Sequence, residues 1–123
     1  MSPAKILVVD DEPFISRSLA FVLRKGNYEV MEARDGAQAL ELIRSQRPDL
    51  VFLDVMMPQF DGFQVVEKVR ADESLSSVRI VLLTARGQES DRSKGHDVGA
   101  DAYVTKPFSP TKILEQARAL LGR

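Results

Sequence analysis

Cysteine is absent from this chain of 123 residues, which excludes disulfides, thiolate metal sites and cysteine nucleophiles together. A surplus of either charge is missing too: 17 Lys and Arg stand against 18 Asp and Glu, for a formal net charge of -1. A surface that tracks nucleic-acid phosphates needs a basic excess or stripe, so direct nucleic-acid binding is not expected. No apolar run approaches the length that crosses a bilayer, and Met1-Ser2-Pro3-Ala4-Lys5 carries no signal-peptide pattern. A cytoplasmic protein with no membrane contact is the expectation. Linkers, internal repeats, charge runs and low-complexity tracts are also lacking. What is present, 44% hydrophobic and 28% charged residues, is the composition of one globular domain over 1–123, long enough to bury a core.

Five short apolar runs alternate with five segments of helical character. The runs are Lys5–Asp10, Tyr28–Ala33, Leu50–Asp54, Arg79–Thr84 and Ala102–Lys106. The first, third and fourth are nearly continuous in Ile, Leu, Val and Phe, as in strands covered on both faces of a parallel sheet. Between them, Ile15, Leu19, Val22 and Leu23 form a stripe ended by Gly26, where a C-terminal cap belongs. Asp35 with Gln38, and Asp61 with Gln64, have capping-box spacing, and Pro48 stops the helix that the first box begins. Leu40 and Ile43 supply the apolar face of one, Phe63, Val66 and Val69 that of the other. Ser109-Pro110 is an N-cap with proline at the first helical position, followed by Ile113, Leu114, Ala117, Leu120 and Leu121. The fourth helical segment, Gln88–Val98, has hardly any apolar stripe and contains a glycine, so it is expected to pack thinly and move. The alternation predicts an α/β, doubly wound, five-stranded parallel sheet flanked by five helices.

In such folds ligands bind beyond the carboxyl ends of the strands, where the strand order reverses. Those ends are Asp10-Asp11-Glu12, Asp54, Thr84 and Lys106, while Glu32-Ala33-Arg34 at the second contributes nothing obvious. In the flavodoxin-like order 2-1-3-4-5 the first and third strands are neighbours, and Asp10, Asp11 and Asp54 share one small pocket. Three carboxylates so close repel unless a cation intervenes. An all-oxygen set with room for water and phosphate oxygens suits Mg²⁺, with Mn²⁺ as a substitute. Lys106 adds a compact ammonium and Thr84 a hydroxyl, and the set has the parts of a phosphoryl-transfer site. Each residue alone has a plainer reading: Asp11 caps a helix, Asp54 and Thr84 end strands at turns, Lys106 is a solvated lysine. His96, in a polar segment, reads as surface, and Phe14, Phe60 and Phe63 as packing residues. Four strand ends converging on one chemistry carry the functional reading.

Val8–Pro13 (VVDDEP), Leu50–Gly62 (LVFLDVMMPQFDG), Val81–Arg86 (VLLTAR) and Gly99–Phe108 (GADAYVTKPF) together resemble the receiver domain of two-component response regulators. The resemblance spans essentially the whole chain and assigns roles. Asp54 is implied as phosphoacceptor, with Asp10, Asp11 and the backbone carbonyl of Met56 completing the metal site. Thr84 matches the switch hydroxyl, Tyr103 the aromatic that turns inward with it, and Lys106 the phosphoryl-binding lysine. Lys106-Pro107 matches a peptide that is cis in the family, at the one kind of bond where cis costs little. The implied donor is a sensor histidine kinase or a histidine phosphotransfer protein. The implied output is a change in the face of the fourth helix, fifth strand and fifth helix.

Leu83–Arg92 and Thr105–Pro110 further resemble receivers that carry a winged-helix DNA-binding domain and dimerise through that face by ion pairs. Arg92 and Asp101 fit the set. Ala102 stands where a second acid belongs, Lys112 where an acid belongs and Gln116 where an arginine belongs, so Arg92 would face Lys112 with repulsion. A monomeric, stand-alone receiver signalling to a downstream protein is therefore expected, with an activated homodimer, or a receiver from a DNA-binding regulator, as the alternative. Turnover of an external metabolite is not expected. A Mg²⁺-dependent phosphatase of the haloacid-dehalogenase type would place Asp-x-Asp after its first strand, unlike Asp10-Asp11-Glu12. A flavin or nucleotide carrier of this fold would need a glycine-rich phosphate loop, which is absent.

Overall fold

The computed structural model describes residues 3–57, 61–84 and 98–122. The apolar runs are strands β1 (Lys5–Val9), β2 (Glu29–Ala33), β3 (Leu50–Asp54), β4 (Arg79–Thr84) and β5 (Ala102–Thr105). They form one parallel sheet in the order β2-β1-β3-β4-β5. Side chains alternate across a strand, and here both faces are covered. Leu7, Val9, Val51, Leu53, Ile80 and Leu82 pack against helices α2 (Gly36–Gln46) and α3 (Gly62–Arg70). Ile6, Val8, Leu50, Phe52, Val81 and Leu83 pack against α1 (Pro13–Lys25) and the last helix, Pro110–Leu121. That two-sided burial explains why the sequence of the central strands is apolar without a break.

Four α-helices lie among the described residues. The expected fifth, Gln88–Val98, falls outside them except for Val98, and Arg92, His96 and Phe60 lie outside as well. No helix among the described residues is long and apolar enough to cross a membrane.

The helix ends follow their chemistry. Asp61 and Gln64 form a reciprocal capping box. The Gln38 backbone N–H donates to the Asp35 carboxylate, while the Gln38 amide oxygen accepts from the Arg34 N–H rather than from that of Asp35, so this box is displaced by one residue. Ser109 accepts from the Lys112 N–H. Gly26 does cap α1, but at φ -81, a conformation open to any residue. Its smallness serves space instead: a Cβ there would lie 2.8 Å from Leu114 Cδ2. The left-handed turn falls on Asn27, φ 71.

Two packing expectations need correction. The buried face of α1 is Ser16, Leu19, Ala20 and Leu23, with Ile15 and Val22 only half-buried. The helix is rotated so that a serine faces inward, because Ser16 Oγ donates 2.7 Å to Glu32 at the end of β2. Phe14, expected to pack, is 79% exposed, whereas Phe63 is buried as expected.

Candidate functional site

The carboxyl edge of the sheet gathers the residues that the strand ends carry. Asp10 follows β1 and is held there by its backbone N–H, which donates 3.2 Å to the Ala33 carbonyl of β2. Asp54 is the last residue of β3 and pairs in register with Leu83. Thr84 ends β4, and its carbonyl accepts from the Lys106 N–H at 2.6 Å. Asp10, Asp54 and Thr84 are almost wholly buried, with exposures of 1%, 5% and 2%, whereas Asp11 is exposed. Polar side chains so completely removed from water need partners or a task.

Lys106 is the internal partner. Its Nζ lies 3.0 Å from Asp10 Oδ2 and 3.5 Å from Asp54 Oδ1. Burial alone would lower the Lys106 pKa, but its hydrogen bond to Asp10 and the charge of Asp54 outweigh that and hold it above the ordinary 10.5. The other Asp10 oxygen accepts from the Glu12 N–H at 2.9 Å, and Asp54 Oδ1 accepts from the Met56 N–H at 3.1 Å. The Lys106-Pro107 peptide that carries the lysine is cis.

One ammonium does not balance the pocket. Burial, and next the charge of Asp10, push the Asp54 carboxyl from 3.8 to about 6, against the pull of Lys106 and the Met56 N–H, with Asp11 adding a further push. Lys106 and Asp54 thus answer differently to one contact: the lysine gains from two acids, while the acid loses more to burial than it gains from one lysine. One oxygen each from Asp10, Asp11 and Asp54 lie within 4.8 Å of one another. Three carboxylate oxygens at that spacing, one arm open to solvent, fit a hard divalent cation with several waters retained.

Asp10, Asp11, Asp54 and Lys106 are therefore brought together. Tyr103 lies on β5, half-buried against the core face shared with α2 and α3, and Met56 is exposed at the rim beside Asp54. On the side face, Lys112 is exposed and Ala102 and Gln116 are half-buried. Asp101, exposed on the same face, is engaged within the chain. Its carboxylate lies 3.0 Å from Arg70 Nη2 and 3.7 Å from Arg79 Nη1, and accepts from the Ile80 N–H at 2.7 Å. An inter-subunit pair at Asp101 would compete with these internal contacts.

Sequence reading missed two supports. The second strand end, which contributes nothing obvious to the chemistry, supplies the Ala33 carbonyl and the Glu32–Ser16 bond that flank Asp10. Gly62, the first residue of α3, donates its N–H to the Val55 carbonyl at 2.9 Å. The Asp-Gly pair after the β3 run was the available signal, but the capping-box reading of Asp61 absorbs it.

A profile described as the response regulator receiver domain matches residues 6–118. The DNA-binding dual master transcriptional regulator of Synechocystis is 42% identical over 119 residues, covering 97% of this chain and 49% of that protein. The alkaline phosphatase synthesis transcriptional regulatory protein of Bacillus subtilis is 42% identical with the same coverages. The chain thus spans about half the length of the curated relatives it matches. Among solved structures, the chemotaxis response regulator CheY4 of Vibrio cholerae superposes with a TM-score of 0.90 at 33% identity, over 96% of this chain and 98% of that one.

Proposed function

Because the chain belongs to the response regulator receiver domains of two-component signalling, we propose that Asp54 is its phosphoacceptor and that Mg²⁺ is the cation its acids hold. The observation that carries this is the buried, cation-poor pocket of Asp10, Asp11 and Asp54 with Lys106 reaching into it. A carboxylate oxygen of Asp54 attacks phosphorus. The bond from phosphorus to the donor nitrogen of a phosphohistidine breaks, or the bond to the acyl oxygen of acetyl phosphate, and the leaving group departs with the electron pair. Bound by Asp10, Asp11, Asp54 and the Met56 carbonyl, Mg²⁺ would neutralise the pocket and the transferring oxygens.

The chain's own groups do the rest. Lys106 offers its ammonium to a phosphoryl oxygen once Asp54 is esterified, and the Met56 N–H keeps the acceptor carboxyl aimed. Thr84 supplies the hydroxyl that follows the phosphoryl group inward, with Tyr103 filling the vacated space. The face of β5 and the last helix is remodelled for a downstream partner in the cytoplasm. The donor is a sensor histidine kinase or a histidine phosphotransfer protein. The only catalysis is self-phosphorylation and self-dephosphorylation.

Incubation with acetyl phosphate and Mg²⁺, read by intact mass, tests this. The expected result is the gain of one phosphoryl group that EDTA and Asp54→Asn both abolish. Phosphorylation that survives Asp54→Asn unchanged would refute the assignment.

A second reading, that the chain is the receiver half of a DNA-binding regulator, is favoured by the transcriptional regulators it matches over half their length. The internal engagement of Asp101 supports a monomer over an activated dimer through that face. Sizing with and without beryllofluoride separates the two.

A further inference from the structure

We infer that Gly62 is a positioning residue for phosphoryl transfer, setting the backbone of the Asp54–Met56 turn, and this rests on the reading of Asp54 as acceptor. Gly62 opens α3, and a Cβ on it would lie 2.6 Å from the Asp54 carbonyl oxygen, 2.9 Å from Val55 Cα and 3.2 Å from the Asp54 carbonyl carbon. All three are backbone atoms, so no side chain can swing aside to make room. Its φ is not the reason for glycine here, since it begins an ordinary helix. The reason is close approach. The Gly62 N–H also donates 2.9 Å to the Val55 carbonyl, and the capping box of Asp61 and Gln64 fixes the helix end that carries it.

The helix is thereby pressed directly on the peptide that joins acceptor to turn. The same turn presents the Met56 N–H to Asp54 Oδ1 at 3.1 Å and carries the Met56 carbonyl that the proposed cation would take as a ligand. Moving a Cβ from 2.6 Å to an ordinary 3.4 Å contact requires a shift of roughly 0.8 Å. A transfer site tolerates about 0.5 Å before it loses rate, and a 1 Å misplacement costs on the order of 100-fold.

Gly26→Ala is the matched comparison. Its Cβ would also be crowded, 2.8 Å from Leu114 Cδ2, but that atom is the end of a flexible side chain and α1 ends at the opposite edge of the sheet. The experiment measures, for wild type, Gly62→Ala and Gly26→Ala, the Mg²⁺ dissociation constant by calorimetry and the acetyl phosphate labelling rate by intact mass. All three are compared at a temperature where circular dichroism shows each folded. Gly62→Ala is expected to label at least about 10-fold more slowly and to bind Mg²⁺ several-fold more weakly, while Gly26→Ala stays within about 2-fold of wild type. Equal rates and affinities in Gly62→Ala and wild type overturn the inference. Failure of wild type itself to label overturns the reading of Asp54 instead.

Should Gly62→Ala not fold, amide exchange in the wild type decides. The Gly62 N–H is expected to exchange at least about 3-fold more slowly with saturating Mg²⁺, because fixing the turn fixes its acceptor. No change refutes the coupling.

Discussion

Replacing Asp54 by Asn should stabilise the metal-free protein while abolishing its chemistry. The carboxyl is held at about 6 against an ordinary 3.8, chiefly by burial and then by Asp10. A raised acid pKa means that the folded state binds a proton more tightly than the unfolded chain does. The cost of an ionised Asp54 is therefore absent below about 3.8, grows as pH rises between the two values, and is complete above about 6. At 1.36 kcal/mol for each pH unit between them, the ceiling on the difference is roughly 3 kcal/mol. Urea unfolding in EDTA reads the difference directly. At about pH 7.5 Asp54→Asn is expected to unfold at higher urea with an unchanged slope, and the gap is expected to close as pH falls toward about 4. Mg²⁺ at ten times its dissociation constant adds about 1.4 kcal/mol to wild type and less to the variant, so the order narrows or reverses. An Asn variant no more stable than wild type at neutral pH, or a gap that does not depend on pH, would refute the view of the pocket as cation-poor.

Lys106→Met should remove the pocket's resident cation, raise the apparent pKa of Asp54 further above about 6, and slow acetyl phosphate labelling by at least about 10-fold, read by intact mass across pH. Asp101→Asn should cost about 1–3 kcal/mol by leaving Arg70 with a weaker acceptor, yet leave Mg²⁺ affinity unchanged; chemical denaturation and calorimetry check the two halves. Phe52→Ala, at a fully buried position in the central strand, should cost about 3–5 kcal/mol in urea unfolding.

Much of this was legible because of how the fold uses its strands. A strand covered on both faces must be apolar at every position, so Leu50–Asp54 and Arg79–Thr84 announce themselves and coincide with the observed strands. An acid that ends such a run stands out against it, as Asp10 and Asp54 do, whereas Lys106 follows the half-buried edge strand β5. What stayed hidden shares another cause. Ser16 on the buried face meets Glu32 sixteen residues on, and the exposed Asp101 bonds Arg70 thirty-one residues earlier. Partnerships over such spans leave no local period. Phe14 is the reverse case: an aromatic residue whose type predicts burial, set one position after the proline that opens α1, on the side turned to solvent.

The contact between Lys106 and Asp10 joins residues ninety-six positions apart, which bears on the order of events in making the protein. Chains emerge from synthesis N-terminus first, so the acids exist as a cluster before the lysine that answers them. Closing so long a span is slow and depends on β5 docking beside β4. A fragment stopped before residue 106 would carry the acceptor but not the ammonium that faces it. Competence for phosphoryl transfer is thus expected only once β5 has docked beside β4 and brought Lys106 to the acids.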